Sequence, residues 1–159
     1  MYAFENDESA DAGNSNVKRL RTGGNTFPAQ AFDLSISIIS SLKRGIVTPE
    51  ITRALIAAHP YQLKQPDINK VLPLHYACGA GGRMQSFEVI KILVDVYPAA
   101  VEIQETYNRT PLHLALEMGV SIEIINLLLK AFPAAVEMKD EYGRTPLYLA
   151  AQKRATDSK

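Results

Sequence analysis

The hexapeptide Leu72-Pro73-Leu74-His75-Tyr76-Ala77 returns as Thr110-Pro111-Leu112-His113-Leu114-Ala115 and again as Thr145-Pro146-Leu147-Tyr148-Leu149-Ala150, its prolines 38 and 35 residues apart. A second marker keeps step with it. Tyr97-Pro98-Ala99-Ala100-Val101-Glu102 recurs 35 residues later as Phe132-Pro133-Ala134-Ala135-Val136-Glu137, and His59-Pro60 heads a degenerate copy. Six residues ahead of each motif proline stands an acid: Asp67, Glu105 or Asp140. Two markers held in phase at a period of roughly 20–50 residues dictate a stacked array, in which each supersecondary unit buries its apolar face only against its neighbours.

Local chemistry divides each unit into two helices. A proline suits the first helical turn, where its missing N–H costs nothing and its φ is already helical. Thr110 and Thr145 precede it as N-cap residues. A short inner helix follows, carrying Ala77, Ala115 and Ala150 where neighbouring helices come close. Thr48, Ser86 and Ser121 are placed to cap a second helix. That helix has a polar stripe (Glu88, Lys91, Asp95; Glu123, Asn126, Lys130) opposite an apolar one (Val89, Ile90, Leu93; Ile124, Ile125, Leu128). The Tyr-Pro and Phe-Pro pairs stop it, because a residue before proline disfavours the α region. Between units, Asp140-Glu141-Tyr142-Gly143-Arg144 reads as a turn whose glycine supplies positive φ; Asn108 and Lys70 stand at the same place in the earlier copies.

These residues resemble the ankyrin repeat, a unit of about 33 residues built around T-P-L-H-x-A. Thr110 to Ala115 matches that core throughout, and Asp140 to Pro146 is similar to its D-x-x-G-x-T-P approach. The resemblance covers roughly residues 33–153. It implies an all-α helix-turn-helix repeat solenoid with short projecting turns and a concave binding face. The expected organisation is a disordered tail over 1–31 and a repeat domain over 32–159, with units at 32–66 (a degenerate cap), 67–104, 105–139 and 140–159 (incomplete). The resemblance makes Pro73, His75, Thr110, Pro111, His113, Gly143, Thr145 and Pro146 structural, the histidines bonding backbone near the turns. Three extra residues in the unit beginning at Asp67 are expected within Gly79–Arg83. After Gln152 no second apolar helix follows, which fits either a polar terminal cap or a piece of a larger enzyme or channel.

Composition removes several functions. The 17 basic and 17 acidic residues cancel, so the excess positive charge of a chain held by nucleic-acid phosphates is missing. Cys78 is the only cysteine, which excludes an internal disulfide and a Cys-rich zinc site. The acidic N-terminus does not read as a secretory signal, and no stretch approaches the roughly 18 uninterrupted apolar residues of a membrane span. The expectation is a soluble intracellular monomer, cytoplasmic or nuclear. Lys18-Arg19-Leu20-Arg21 reads either as an import patch or as solvated charge balancing nearby acids.

Candidate chemistry is sparse. His75 and His113 recur in one phase, as a structural slot does, whereas metal ligation needs convergent ligands. Cys78, three residues after His75, invites a nucleophile–base pair, but the other units place Leu116 and Ala151 there, an apolar slot that a buried thiol fills equally well. Gly79 to Gly82 lacks the Lys-Ser/Thr of a phosphate loop. No catalytic residue, metal site or cofactor is therefore expected. The turns are better candidates. Tyr107, Arg109, Tyr142 and Arg144 are side chains that interfaces favour, and Glu117, Met118 and Gln152 near the inner-helix ends extend the same face. Against this stands a reading in which the tyrosines pack on neighbouring turns and the arginines are merely solvated. The expected function is a non-catalytic protein-binding module or adaptor.

Overall fold

The computed structural model describes residues 37–79 and 86–157. The tail expected over 1–31, its Lys18–Arg21 cluster and residues 80–83 of the expected insertion lie outside the described residues. Among the described residues there are seven α-helices and no strand: α1 (Ile38–Arg44), α2 (Pro49–Ala58), α3 (Pro73–Gly79), α4 (Phe87–Val96), α5 (Pro111–Met118), α6 (Ile122–Ala131) and α7 (Pro146–Asp157). Helices α1, α3, α5 and α7 pack in succession as an inner layer, and α2, α4 and α6 as an outer one. Between the layers lies a core whose largest fully buried side chains include Ile38, Leu42, Leu55, Leu74, Ile90, Leu93, Ile124 and Leu128.

The helix starts follow local chemistry, with one departure. Thr48 Oγ1 accepts the Ile51 N–H at 3.3 Å, and Thr110 and His113 satisfy each other's backbone N–H groups in a capping box. Ser86 and Ser121 occupy N-cap positions but make no capping bond. The Glu123 carboxyl, two residues after Ser121, is held below its ordinary value by the Ser121 hydroxyl and by its own backbone N–H. The first unit has no motif proline, yet its inner helix is anchored all the same. Ser37 Oγ accepts from the Ser40 N–H, and Gln62 Oε1 reaches back from the same unit to the Ile38 N–H at 2.9 Å.

The outer helices stop as the X-Pro pairs dictate. His59, Tyr97 and Phe132 all leave the α region, with φ near −140° and ψ of 66°, 76° and 84°. The prolines then open short 3-10 turns at Pro60–Lys64, Pro98–Val101 and Pro133–Glu137. These turns return the chain to the next unit and were not foreseen from periodicity, because an apolar Pro-Ala-Ala-Val run has no distinctive period.

The last unit differs from the others at its end. Helix α5 closes at Gly119, in the left-handed region at φ 70°. Arg154 stands 35 residues later, where no glycine stops the chain, and α7 runs on to Asp157, 12 residues against 8 for α5. Leu147 is 75% exposed, whereas its counterparts Leu74 and Leu112 are each 2% exposed because the following unit covers them.

The turn positions behave as the sequence implies. Lys70, Asn108 and Gly143 take φ of 59°, 56° and 74°. Glycine and asparagine tolerate this region, but a lysine there is strained by about 1–2 kcal/mol. Replacing the exposed Lys70 by glycine is therefore expected to raise unfolding free energy by about 0.5–1 kcal/mol, after the added flexibility of the unfolded chain is subtracted. Asn108→Gly should gain less. Urea unfolding of the two variants side by side checks the order.

Candidate functional site

Each inter-unit turn is built around its leading acid. Asp140 Oδ1 accepts the N–H groups of Tyr142 and Arg144 at 2.9 and 2.8 Å, while Oδ2 takes the Arg144 Nε at 2.8 Å. Asp67 repeats the pattern with the N–H groups of Asn69 and Val71, and its second oxygen accepts the Tyr76 hydroxyl at 2.6 Å. Glu105, one methylene longer, pairs with Arg109 Nε at 2.8 Å. Burial pushes both aspartates upward, but it is outweighed: the Tyr76 hydroxyl and turn N–H groups hold Asp67, and the Arg144 backbone and guanidinium hold Asp140, below the usual carboxylate range.

The turns are tied to one another edge to edge. The Thr106 N–H and hydroxyl both donate to the Asn69 carbonyl, at 3.0 and 2.6 Å, and the Glu141 N–H donates to the Tyr107 carbonyl at 3.0 Å. The motif histidines lock this ladder to the helices. His75 Nε2 donates to the Ile103 carbonyl at 2.9 Å, and His113 Nε2 to the Arg144 carbonyl at 3.3 Å. Their Nδ1 atoms are thereby left as acceptors for the Leu72 and Thr110 N–H groups, both at 3.2 Å. Both rings are fully buried. Desolvation, the largest influence, depresses both pKa values below 6.5 despite the opposing carbonyl bonds. In the last unit Tyr148 holds the histidine position and is exposed.

Against this frame the anticipated binding residues separate into two groups. Tyr107 and Tyr142 are 47% and 70% exposed. Arg109 and Arg144 are half-buried: each is paired with its turn acid and lies beside the ring of its own turn's tyrosine, at 5.3 and 4.8 Å from the centroid. The arginines are thus each tied to a turn acid and set over the ring of their own turn's tyrosine. Glu117 gives a second carboxylate to Arg109 at 3.1 Å. Met118 packs half-buried on the core, while Gln152 is exposed on α7.

The inner-helix face also carries a cavity of about 360 Å³, lined by Lys43, Val71, Tyr76, Gly79, Glu105, Arg109 and Leu114. Lys43 lies 4.7 Å over the Tyr76 ring and 3.8 Å from Asp67. Sequence reasoning missed Lys43, because the first unit lacks the motif that would have set its phase. Tyr76 did carry a signal: an aromatic with a polar tip where the next two units have Leu114 and Leu149.

The other chemistry-bearing groups are engaged elsewhere. Cys78 is fully buried, and burial pushes its thiol up to about 12, so it is not a thiolate at neutral pH. Both ring nitrogens of His75 are bonded to backbone, which leaves none for a cysteine. Among the described residues, no three His, Cys, Asp or Glu side chains are grouped to hold a metal ion, and no helix is long and apolar enough to cross a membrane.

A family model for ankyrin repeats (three copies) matches residues 38–134 and 84–158. The chain belongs to the ankyrin repeat family. No curated protein matches it in sequence. Ankyrin repeats are generally protein–protein interaction modules, and domains built of them are typically non-catalytic.

Two outcomes test this frame. Because the folded-state pKa values of His75 and His113 lie below the ordinary value, the unfolded chain takes up more protons as pH falls from about 7. Stability contributed by the neutral rings is fully present above that range and is lost on acidification. The aspartates, whose stabilisation fades only below their ordinary value of 3.8, leave the interval between about pH 7 and 5 to the histidines. Urea midpoints are expected to fall across it, and to fall less in His75→Gln. Separately, Asp140→Ala strands two turn N–H groups and should cost about 2–4 kcal/mol, while Asp140→Asn keeps an acceptor oxygen and should cost about half as much. Denaturant unfolding of the pair distinguishes the Asx bonds from the ion pair.

Proposed function

We propose that this chain is a non-catalytic adaptor working inside the cell, binding a protein partner across its turn tips and inner-helix face. The observation that carries this reading is the exposure of Tyr107 and Tyr142 on consecutive turns whose backbone, acid and arginine are all fixed. A rigid aromatic already held in place loses little entropy on binding, so more of its contact energy appears as affinity. Ile68, 97% exposed on the first turn, continues the row, and Gln152, Glu117 and Met118 border it on the helices. Arg109 and Arg144 contribute as positioning residues and offer partners the guanidinium edges their carboxylates leave uncovered.

The test removes the rings without disturbing the arginines. Tyr107→Ala/Tyr142→Ala/Gln152→Ala and a control on the outer helices, Glu88→Ala/Lys91→Ala, serve as baits beside the unaltered chain in affinity capture read by mass spectrometry. The expected outcome is a partner retained by the unaltered chain and the control but depleted at least about tenfold by the triple variant, at matched helicity. Alanine replacement of interface aromatics commonly costs more than about 1 kcal/mol each. Equal retention by all three baits would remove the turn face from consideration.

A further inference from the structure

We infer that the cavity on the inner-helix face takes an acidic side chain, the carboxylate of a glutamate or aspartate, from an exposed segment of the protein partner; this rests on the binding reading above. The cavity is assembled from three successive units: Lys43 comes from α1, Tyr76 and Gly79 from α3, Leu114 from α5, and Glu105 and Arg109 from the turn between the last two. Its charged lining sets two cations, Lys43 and Arg109, against one carboxylate. That carboxylate is already engaged: the Glu105 side chain is 2% exposed and takes the Arg109 Nε at 2.8 Å. Asp67 and Glu117 lie outside the lining.

Both cations keep donors for a ligand. The Lys43 side chain is 52% exposed, and its ammonium stands 3.8 Å from Asp67 Oδ2, beyond hydrogen-bond distance. That oxygen already accepts the Tyr76 hydroxyl at 2.6 Å, while Oδ1 takes two turn N–H groups. Asp67 is thus a distant counter-charge to Lys43 and not its hydrogen-bond acceptor. Arg109 donates through Nε to Glu105 and through Nη1 to Glu117, which leaves its Nη2 hydrogens for another acceptor. A carboxylate supplies acceptors only, one oxygen for each cation, in charge-assisted bonds that partial enclosure strengthens. Val71 and Leu114 offer an apolar wall to the methylenes that carry it. Glu117, 34% exposed and 3.1 Å from Arg109 Nη1, competes with the ligand for the same guanidinium. A basic side chain would instead bring a third cation to a lining whose one carboxylate is engaged.

The full chain, labelled with nitrogen-15, is titrated with blocked pentapeptides identical except for a central glutamate, glutamine or arginine. The glutamate peptide alone is expected to shift amide resonances around Lys43, Gly79, Arg109 and Leu114, with apparent affinity falling severalfold between low and high salt. Lys43→Gln, checked by the same spectrum to be folded, should weaken binding at least about threefold, whereas Lys43→Arg should retain it. Lys91→Gln removes the same charge from outer helix α4 and should leave binding unchanged. Glu117→Gln, which releases Arg109, should strengthen it about two- to threefold. Equal shifts from the glutamine or arginine peptide, no shifts from the glutamate peptide, or a Lys43→Gln effect no larger than that of Lys91→Gln would each overturn the inference. Weaker binding by Glu117→Gln would overturn it too. Failure here with the turn tyrosines still required for capture leaves the adaptor reading standing. Loss of the tyrosine dependence would remove that reading whatever the peptide does.

Discussion

A buried imidazole that donates from one nitrogen to the chain beside the following turn and accepts with the other from the start of its own helix holds this stack in register. His75 and His113 each join the start of an inner helix to the approach or exit of the following turn, so helix packing and turn position cannot vary independently. Apolar burial supplies most of the driving force, but it is non-directional and would tolerate sliding between layers. The imidazole bonds are directional, and inside the stack they have no water to compete with them. Because they require a neutral ring, the alignment of the turns, and with it the presentation of Tyr107 and Tyr142, depends on a protonation state.

Much of this was legible in the sequence because the repeat supplies its own controls. Pro73, Pro111 and Pro146 marked three helix starts; Lys70, Asn108 and Gly143 marked three left-handed turns; Tyr97 and Phe132 marked two helix ends. Where a residue's role depended on only its nearest neighbours, its type disclosed it. Ser86 and Ser121 were read as caps on type alone, and neither makes the capping bond. The 3-10 turns and the anchoring role of Gln62 went unseen, since nothing in the spacing of an apolar tetrapeptide or in a lone glutamine specifies the partner it meets.

The candidate face was legible only in part, and for a physical reason. Sequence gives composition at a turn tip but not the competition for each side chain within it. Arg109 and Arg144 looked like hands held out to a partner. In the folded turn the nearest carboxylates are Glu105 and Asp140, four residues before each, and that short-range pairing outweighs solvent. The consequence is that the arginines are tied within the turns while the tyrosines stay exposed. The cavity was less visible still, because it is assembled from residues of three units, Lys43 among them, and the first of those units lacks the motif.

The stack's connectivity has a consequence for how the chain reaches this structure. The bond from Thr106 Oγ1 to Asn69 spans 37 residues, about one unit, and the helix contacts join neighbours in the same way. Closing such short loops costs little entropy, so a pair of adjacent units anywhere along the array is able to nucleate, and the rest adds on from its edges. The interior pair formed by α3 to α6 is covered on both sides and is the last to open. Stability is therefore graded along the array, which behaves less as a single cooperative block than as a zipper.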